Sequence, residues 1–160
     1  MRIAIAAIGR MKAGPERELV SRYLDRAAAG GRALGLTGFD VLESPESRAS
    51  TAPARKADEA RLLANALSDA TVVVALDERG RSIGSEAFAH KIGTWRDDGA
   101  RMLGFVIGGA DGLSPDLVGR ADLVLGLSAL TWPHQIVRIL LAEQLYRTTT
   151  ILSGHPYHRE

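Results

Sequence analysis

The sequence predicts an α/β fold: a mainly parallel sheet of five to six strands with helices on both faces. Five short apolar runs recur along the chain without polar alternation, the pattern of strands covered on both sides. Between them stand longer segments with apolar residues at helical spacing, and such alternation produces parallel crossovers. With 160 residues and 46% hydrophobic content, the chain is expected to form one domain, residues 1–160, with a core of its own.

The elements follow in order. Residues 3–8 (IAIAAI) read as a buried strand ended by Gly9. Pro15, with Glu16 and Glu18, opens a helix that carries Leu19, Tyr23 and Leu24 on one face, and Gly30 and Gly31 end it. Residues 37–43 form a second strand. After a polar stretch, Pro53 starts a helix with Asp58 and Glu59 near its positive end and an Ala60, Leu63, Leu67 stripe. Residues 71–76 (TVVVAL) are the clearest strand, rich in β-branched side chains. Ser85 is expected to cap a helix whose stripe is Phe88, Ile92 and Trp95. Residues 102–107 form a fourth strand running into Gly108 and Gly109, Pro115 opens a short helix, and residues 123–127 form a fifth strand. The last helix is expected from Pro133 to about Thr149. Its apolar residues (Ile136, Val137, Ile139, Leu140, Leu141, Leu145) spread over more than one face, which predicts self-association.

Composition narrows the function. No run of eighteen apolar residues is present, and the N-terminal apolar stretch is too short and too soon charged for a signal peptide. Cysteine is absent, so disulfides, thiolate zinc sites and a cysteine nucleophile are excluded, consistent with a cytoplasmic chain. A net charge of +1 does not announce a nucleic-acid binder, so RNA contact would rest on local patches or a dimer groove. Ligands on parallel sheets sit beyond the carboxyl ends of the strands. Three loops there stand out: 76–80 (LDERG), 108–112 (GGADG) and 128–134 (SALTWPH). None holds a phosphate-cradling glycine motif, so they suit a cofactor read by backbone groups against an apolar wall.

The last ten residues, ILSGHPYHRE, bring His155, Tyr157, His158 and Arg159 to a terminus with little to bury. Imidazoles, a phenol and a guanidinium suit proton handling and contact with a base or phosphate, so this tail reads as part of an active site. His155 and His158 lie at i, i+3, but Pro156 interrupts a helix there and no third ligand is evident, so no metal is expected. His134 reads as a structural contact and Trp95 as core. Arg48, Arg55, Lys56 and Arg61 read as a solvated face with RNA contact as the alternative, and so do Arg10 and Lys12 after the first strand.

Several stretches together carry a family resemblance: IAIAAIGRMK, VALDERG, FVIGGADGLSPDL from Phe105, LSALTWPHQIVRILLAEQLYR from Leu127, and the closing HPYHRE. The chain resembles the ribosomal large-subunit RNA methyltransferase H family of the SPOUT (knotted) methyltransferases along its whole length. The resemblance implies S-adenosyl-L-methionine-dependent methylation of N3 of a pseudouridine in 23S rRNA on the assembled ribosome. It also implies a C-terminal trefoil knot and a homodimer, with neither DNA nor a membrane as partner. The family's cofactor site carries over onto Leu76, Gly108, Gly109, Leu127, Ser128, Ala129, Leu130, Thr131 and Trp132, the last standing where relatives often have a smaller apolar residue. His155 or Tyr157 is expected near the target base, Arg159 on a phosphate or carbonyl oxygen, and His158 stacking or accepting a proton. Arg138 and Arg147 are expected to face RNA or the dimer partner, with Glu143 orienting one of them. In a dimer, the tail of one subunit would complete the cofactor pocket of the other. Two other readings remain at this level: a nucleotide or flavin enzyme of flavodoxin-like build, and a non-catalytic ribosome-associated factor.

Overall fold

The computed structural model describes residues 1–157. Its strands are β1 (Arg2–Ile8), β2 (Thr37–Ser44), β3 (Val72–Arg81), β4 (Met102–Ile107) and β5 (Leu123–Leu125). They form one sheet in the order β2-β1-β4-β3-β5, and every neighbouring pair is parallel. Of the expected five to six strands, five are present among the described residues.

The helices are α1 (Pro15–Gly31), α2 (Ala52–Ala66), α3 (Ser85–Asp97), α4 (Pro115–Gly119) and α5 (His134–Leu152). The pleat of β1 divides them between two layers. Ile3, Ile5 and Ala7 point into a core shared with Leu24 of α1, Phe88 and Ile92 of α3, and Leu141 and Leu145 of α5. Ala4, Ala6 and Ile8 point the other way, against Leu63 of α2 and Leu117 of α4. Both faces are therefore covered, which is why β1 and β4 read as unbroken apolar runs.

Tertiary contacts moved several boundaries. β3 continues to Arg81, beyond the expected Leu76, because Arg81 pairs with Leu125 after a register break. Strand β5 stops at Leu125 instead of Leu127, and α5 runs on to Leu152 instead of Thr149. Ser85 does not cap α3: Gly84 holds that position, while Ser85 Oγ donates to Gln144 Oε1 at 2.7 Å and docks α3 on α5. At the end of β3 two backbones cross closely. A Cβ on Gly80 would stand 2.6 Å from Gly126 N, and Gly126 N donates to the Arg81 carbonyl at 3.1 Å. Only glycine permits that approach. The wide apolar surface of α5 is largely spent within the chain, on α1, α3 and β4, leaving Ile136, Ile139 and Leu140 partly covered.

Candidate functional site: a cleft at the carboxyl edge of the sheet

Where β3, β4 and β5 end, their loops enclose a cleft of about 580 Å³, within the range of small-ligand sites. Its walls come from Leu76–Arg79, Ile107–Leu113 and the stretch from Leu125 to His134, with Val137 from the first turn of α5. All the residues expected to hold a cofactor line it except Ala129, which is exposed in the same loop.

Local chemistry shapes each loop. A Cβ on Gly108 would stand 2.8 Å from Gly112 C and 2.9 Å from Leu113 N, so the 108–113 loop folds over a position that only glycine fits. Gly112 adopts φ 79°, and its N–H donates to the Gly109 carbonyl at 3.0 Å. In the loop after β5, Ser128 Oγ accepts from Leu130 N at 3.0 Å and from the Trp132 indole N–H at 2.8 Å. Thr131 Oγ1 donates to Glu78 Oε2 at 3.0 Å, tying this loop to the one after β3. Leu130 and Trp132 stay 66% and 40% exposed, two apolar surfaces at the mouth of the cleft.

The charges around the cleft are mostly paired. Asp77 accepts from the backbone N–H and Nε of Arg79 at 2.9 and 3.1 Å, and the Arg79 bonds hold its carboxyl below the usual range. Asp111 is gripped by Arg55 through Nε at 2.6 Å and Nη2 at 3.1 Å, which holds it low in the same way. Arg55 is thus a loop anchor and not part of a solvated basic face. Lys56 also borders the cleft and has no hydrogen-bond or ion-pair partner among the described residues. Sequence reasoning missed Asp77, Glu78, Asp111 and His134 as cleft residues. The only signal for any of the four was a place in those loops.

The described part of the expected catalytic tail lies elsewhere. Tyr157 packs on Tyr146 with ring centroids 4.7 Å apart, and its hydroxyl donates to Glu143 Oε1 at 3.2 Å. The guanidinium of Arg147 lies 5.0 Å from the Tyr157 ring and that of Arg26 5.6 Å. Glu143 does orient Arg147, accepting from Nε at 3.0 Å and Nη2 at 2.6 Å. Burial, then the negative charge of Glu143, raises the Tyr157 phenol above its ordinary value, so at neutral pH it is a proton donor and not a base. His155 is exposed, and its Nδ1 accepts from Tyr157 N at 3.1 Å. No tail residue lines the cleft of its own chain among the described residues. His158 and Arg159 lie outside the described residues.

Arg138 corrects an expectation. It was expected to face RNA or a dimer partner, yet its side chain is 1% exposed. Nη2 donates to the carbonyls of Ile8 and Gly9 at 2.6 and 2.7 Å, and Nη1 to Glu43 Oε1 at 2.7 Å. Burial lowers its pKa, with Glu43 acting in the opposite direction. It clamps α5 to the ends of β1 and β2.

A doubly covered parallel sheet with a glycine-shaped cleft at its carboxyl edge defines an α/β enzyme class, and the chain belongs to the SPOUT methyltransferases: the family model described as "Predicted SPOUT methyltransferase" matches residues 1–158. SPOUT methyltransferases depend on S-adenosylmethionine, which is the cofactor of this chain. Within that class the chain falls in the ribosomal RNA large subunit methyltransferase H family. The protein of that name from Brucella anthropi is 60% identical over 159 residues, covering 99% of each chain, and that from Rhizobium meliloti matches to the same extent. The crystal structure of TrmJ from Z. mobilis ZM4 shares the fold, with a TM-score of 0.53 at 18% identity over 91% of this chain and 69% of that one. The flavodoxin-like reading is thereby set aside. The cleft suits the donor physically, with Leu76, Ile107, Leu125, Leu127 and Val137 as an apolar wall and backbone groups of the glycine loops within reach.

Proposed function

We propose that this chain methylates N3 of a pseudouridine in 23S rRNA on the assembled ribosome, acting in the cytoplasm as a homodimer. Methylation of large-subunit rRNA is what the names of its relatives, at 60% identity over the full chain, bring to it. The observation that carries the reading is the cleft, whose walls are the three loops singled out from the sequence. We assign donor binding to Leu76, Gly108, Gly109 and the loop from Leu127 to Trp132.

S-adenosylmethionine supplies an electrophilic methyl group on a positively charged sulfur. The chain supplies position and surroundings. The apolar wall favours loss of that charge, and the folded glycine loops fix one approach direction. The acceptor imide must lose its N3 proton, which passes to solvent water as methyl loss leaves the sulfonium a neutral thioether. The developing negative charge spreads onto the flanking carbonyl oxygens. His155, whose Nδ1 is already an acceptor, presents its Nε2 N–H to those oxygens, and the protonated phenol of Tyr157 becomes a second donor once it turns from Glu143. Arg147 adds positive charge beside them, and we assign Arg159 to a phosphate or carbonyl oxygen of the substrate.

Complementation in trans is part of this proposal. Glu143 and Tyr146, which hold Tyr157, lie nine residues along α5 from His134 and Val137 of the cleft, about 13 Å at the helical rise. A second subunit is the source of a tail for this cleft. We include the family's trefoil knot, and the close passage of Gly80 against Gly126 is consistent with it.

Methyl transfer from labelled S-adenosylmethionine to purified ribosomes, followed by mass spectrometry of the modified nucleoside, tests the reaction. Mixing a tail-truncated chain with a Gly108 variant tests the trans arrangement. Restored activity supports it, and an inert mixture of folded proteins counts against it.

A further inference from the structure

We infer that the loop leaving β1, residues 9–14, is a phosphate-contacting surface for the RNA substrate, with Arg10 and Lys12 as the contacts. The inference rests on the proposed rRNA reaction.

The loop emerges beside the donor cleft. Strand β1 lies next to β4, and Ala7 is in register with Ile107, so the residues after Ile8 leave the sheet next to the glycine loop after β4. A Cβ on Gly9 would stand 3.6 Å from Nε2 of His134, a residue of the cleft. RNA laid across the mouth of the cleft would therefore pass over this loop.

The loop is held rigid from below. Nη2 of the buried Arg138 ties the carbonyls of Ile8 and Gly9 at 2.6 and 2.7 Å, and Nη1 reaches Glu43 Oε1 at 2.7 Å. That same Glu43 oxygen accepts from Met11 N at 2.9 Å. Met11 is 6% exposed, a hydrophobic peg that turns its neighbours outward. Arg10 and Lys12 are both exposed, and neither has a hydrogen-bond or ion-pair partner among the described residues. At the same edge Arg55 and Arg79 are each held by an aspartate. Two unpaired cations on a pinned loop beside the reactive cleft form a preorganised anion contact, and the anion a nucleic-acid substrate brings is phosphate. Arg48, exposed in the loop after the neighbouring β2 and likewise unpartnered among the described residues, extends the same edge.

The test is binding of the full-length chain to purified ribosomes across a salt series, with donor affinity by calorimetry alongside. Arg10→Ala/Lys12→Ala is expected to weaken ribosome binding about ten-fold at moderate salt. It should also flatten the log–log salt dependence by about 1.5, as expected for two lost phosphate contacts, with donor affinity unchanged. Arg138→Lys, which keeps both surface charges, should flatten the slope in the same direction. A role confined to stability would lower the melting temperature and leave the slope alone. Unchanged affinity and slope in the double variant overturn the inference, as does a change in dimer stability in place of ribosome affinity. A wild-type chain that binds ribosomes with this dependence yet transfers no methyl group would overturn the proposed reaction and leave the surface standing. A wild type that methylates normally, with a double variant that does so equally at every salt, overturns the surface alone.

Discussion

The two ends of α5 put the same residue type to opposite uses. Arg138 and Arg147 are nine residues apart, two and a half turns, and so lie on opposite sides of one helix. Arg138 turns inward, and its Nη1 and Nη2 groups are taken up by two backbone carbonyls and a carboxylate. Arg147 lies 27% exposed against Glu143 and under the Tyr157 ring, close to the C-terminal tail. One arginine holds the frame in which the cleft forms, and the other belongs to the surface where we place the acceptor chemistry. Charge alone does not reveal which is which; the surroundings of the side chain decide.

The largest expected effect separates the two directly. Arg138→Ala should destabilise the fold by about 3 kcal/mol or more, because it leaves Glu43 and two carbonyls without their donor. Arg147→Ala should cost less than about 1 kcal/mol, as expected of a part-exposed ion pair, while methyl transfer falls. Urea denaturation beside a transfer assay decides the matter, and equal stability losses would erase the contrast.

At the cleft end, Gly108→Val should lower donor affinity by at least about ten-fold, since its Cβ would already stand 2.8 Å from Gly112 C and push the loop into the cleft. Calorimetry reads this, and unchanged affinity would move the donor away from this loop.

At the tail end the sharper probe is Glu143→Gln. Removing that charge should bring the Tyr157 titration back toward the ordinary tyrosine value of 10.0, observable by ultraviolet absorbance. The folded phenol holds its proton more tightly than the unfolded one, so its contribution is complete below pH 10.0 and is lost as pH climbs through the raised folded value. The glutamine variant should lose less stability over that alkaline range. The smallest effect is expected of Trp132→Ala, a few-fold loss of donor affinity. Its ring is 40% exposed at the mouth of the cleft and held by one hydrogen bond to Ser128.

The sequence marked the loops of the cleft well and the destinations of single polar side chains poorly. Loops after parallel strands announce themselves by their place at the carboxyl edge and, at Gly108 and Gly109, by residue type, while the eight residues that line the cleft as expected were named through the family resemblance. His134 was read as a structural contact because a single histidine after proline carries no local sign of facing a ligand. Ser85 was read as a cap because serine at a helix start usually is one, and docking on Gln144 outweighed that local preference. Arg138 reads as facing RNA or a dimer partner because an arginine on a helix is usually solvated.

By itself the sequence determined what nearest neighbours enforce: the apolar strands, the helices that cover both faces, and the glycine turns at the carboxyl edge. Tertiary structure alone decided the destinations of the charges. Arg138 bonds to a carbonyl 130 positions away in the chain. Its burial is tolerable only because β1 and β2 bring those acceptors together, and a charged group enters a core only where distant parts of the fold supply partners. Likewise Tyr157 is a held donor only because Glu143 and Tyr146 on α5 meet the returning tail. Periodicity is local and legible along a chain; polar satisfaction is a property of the assembled fold.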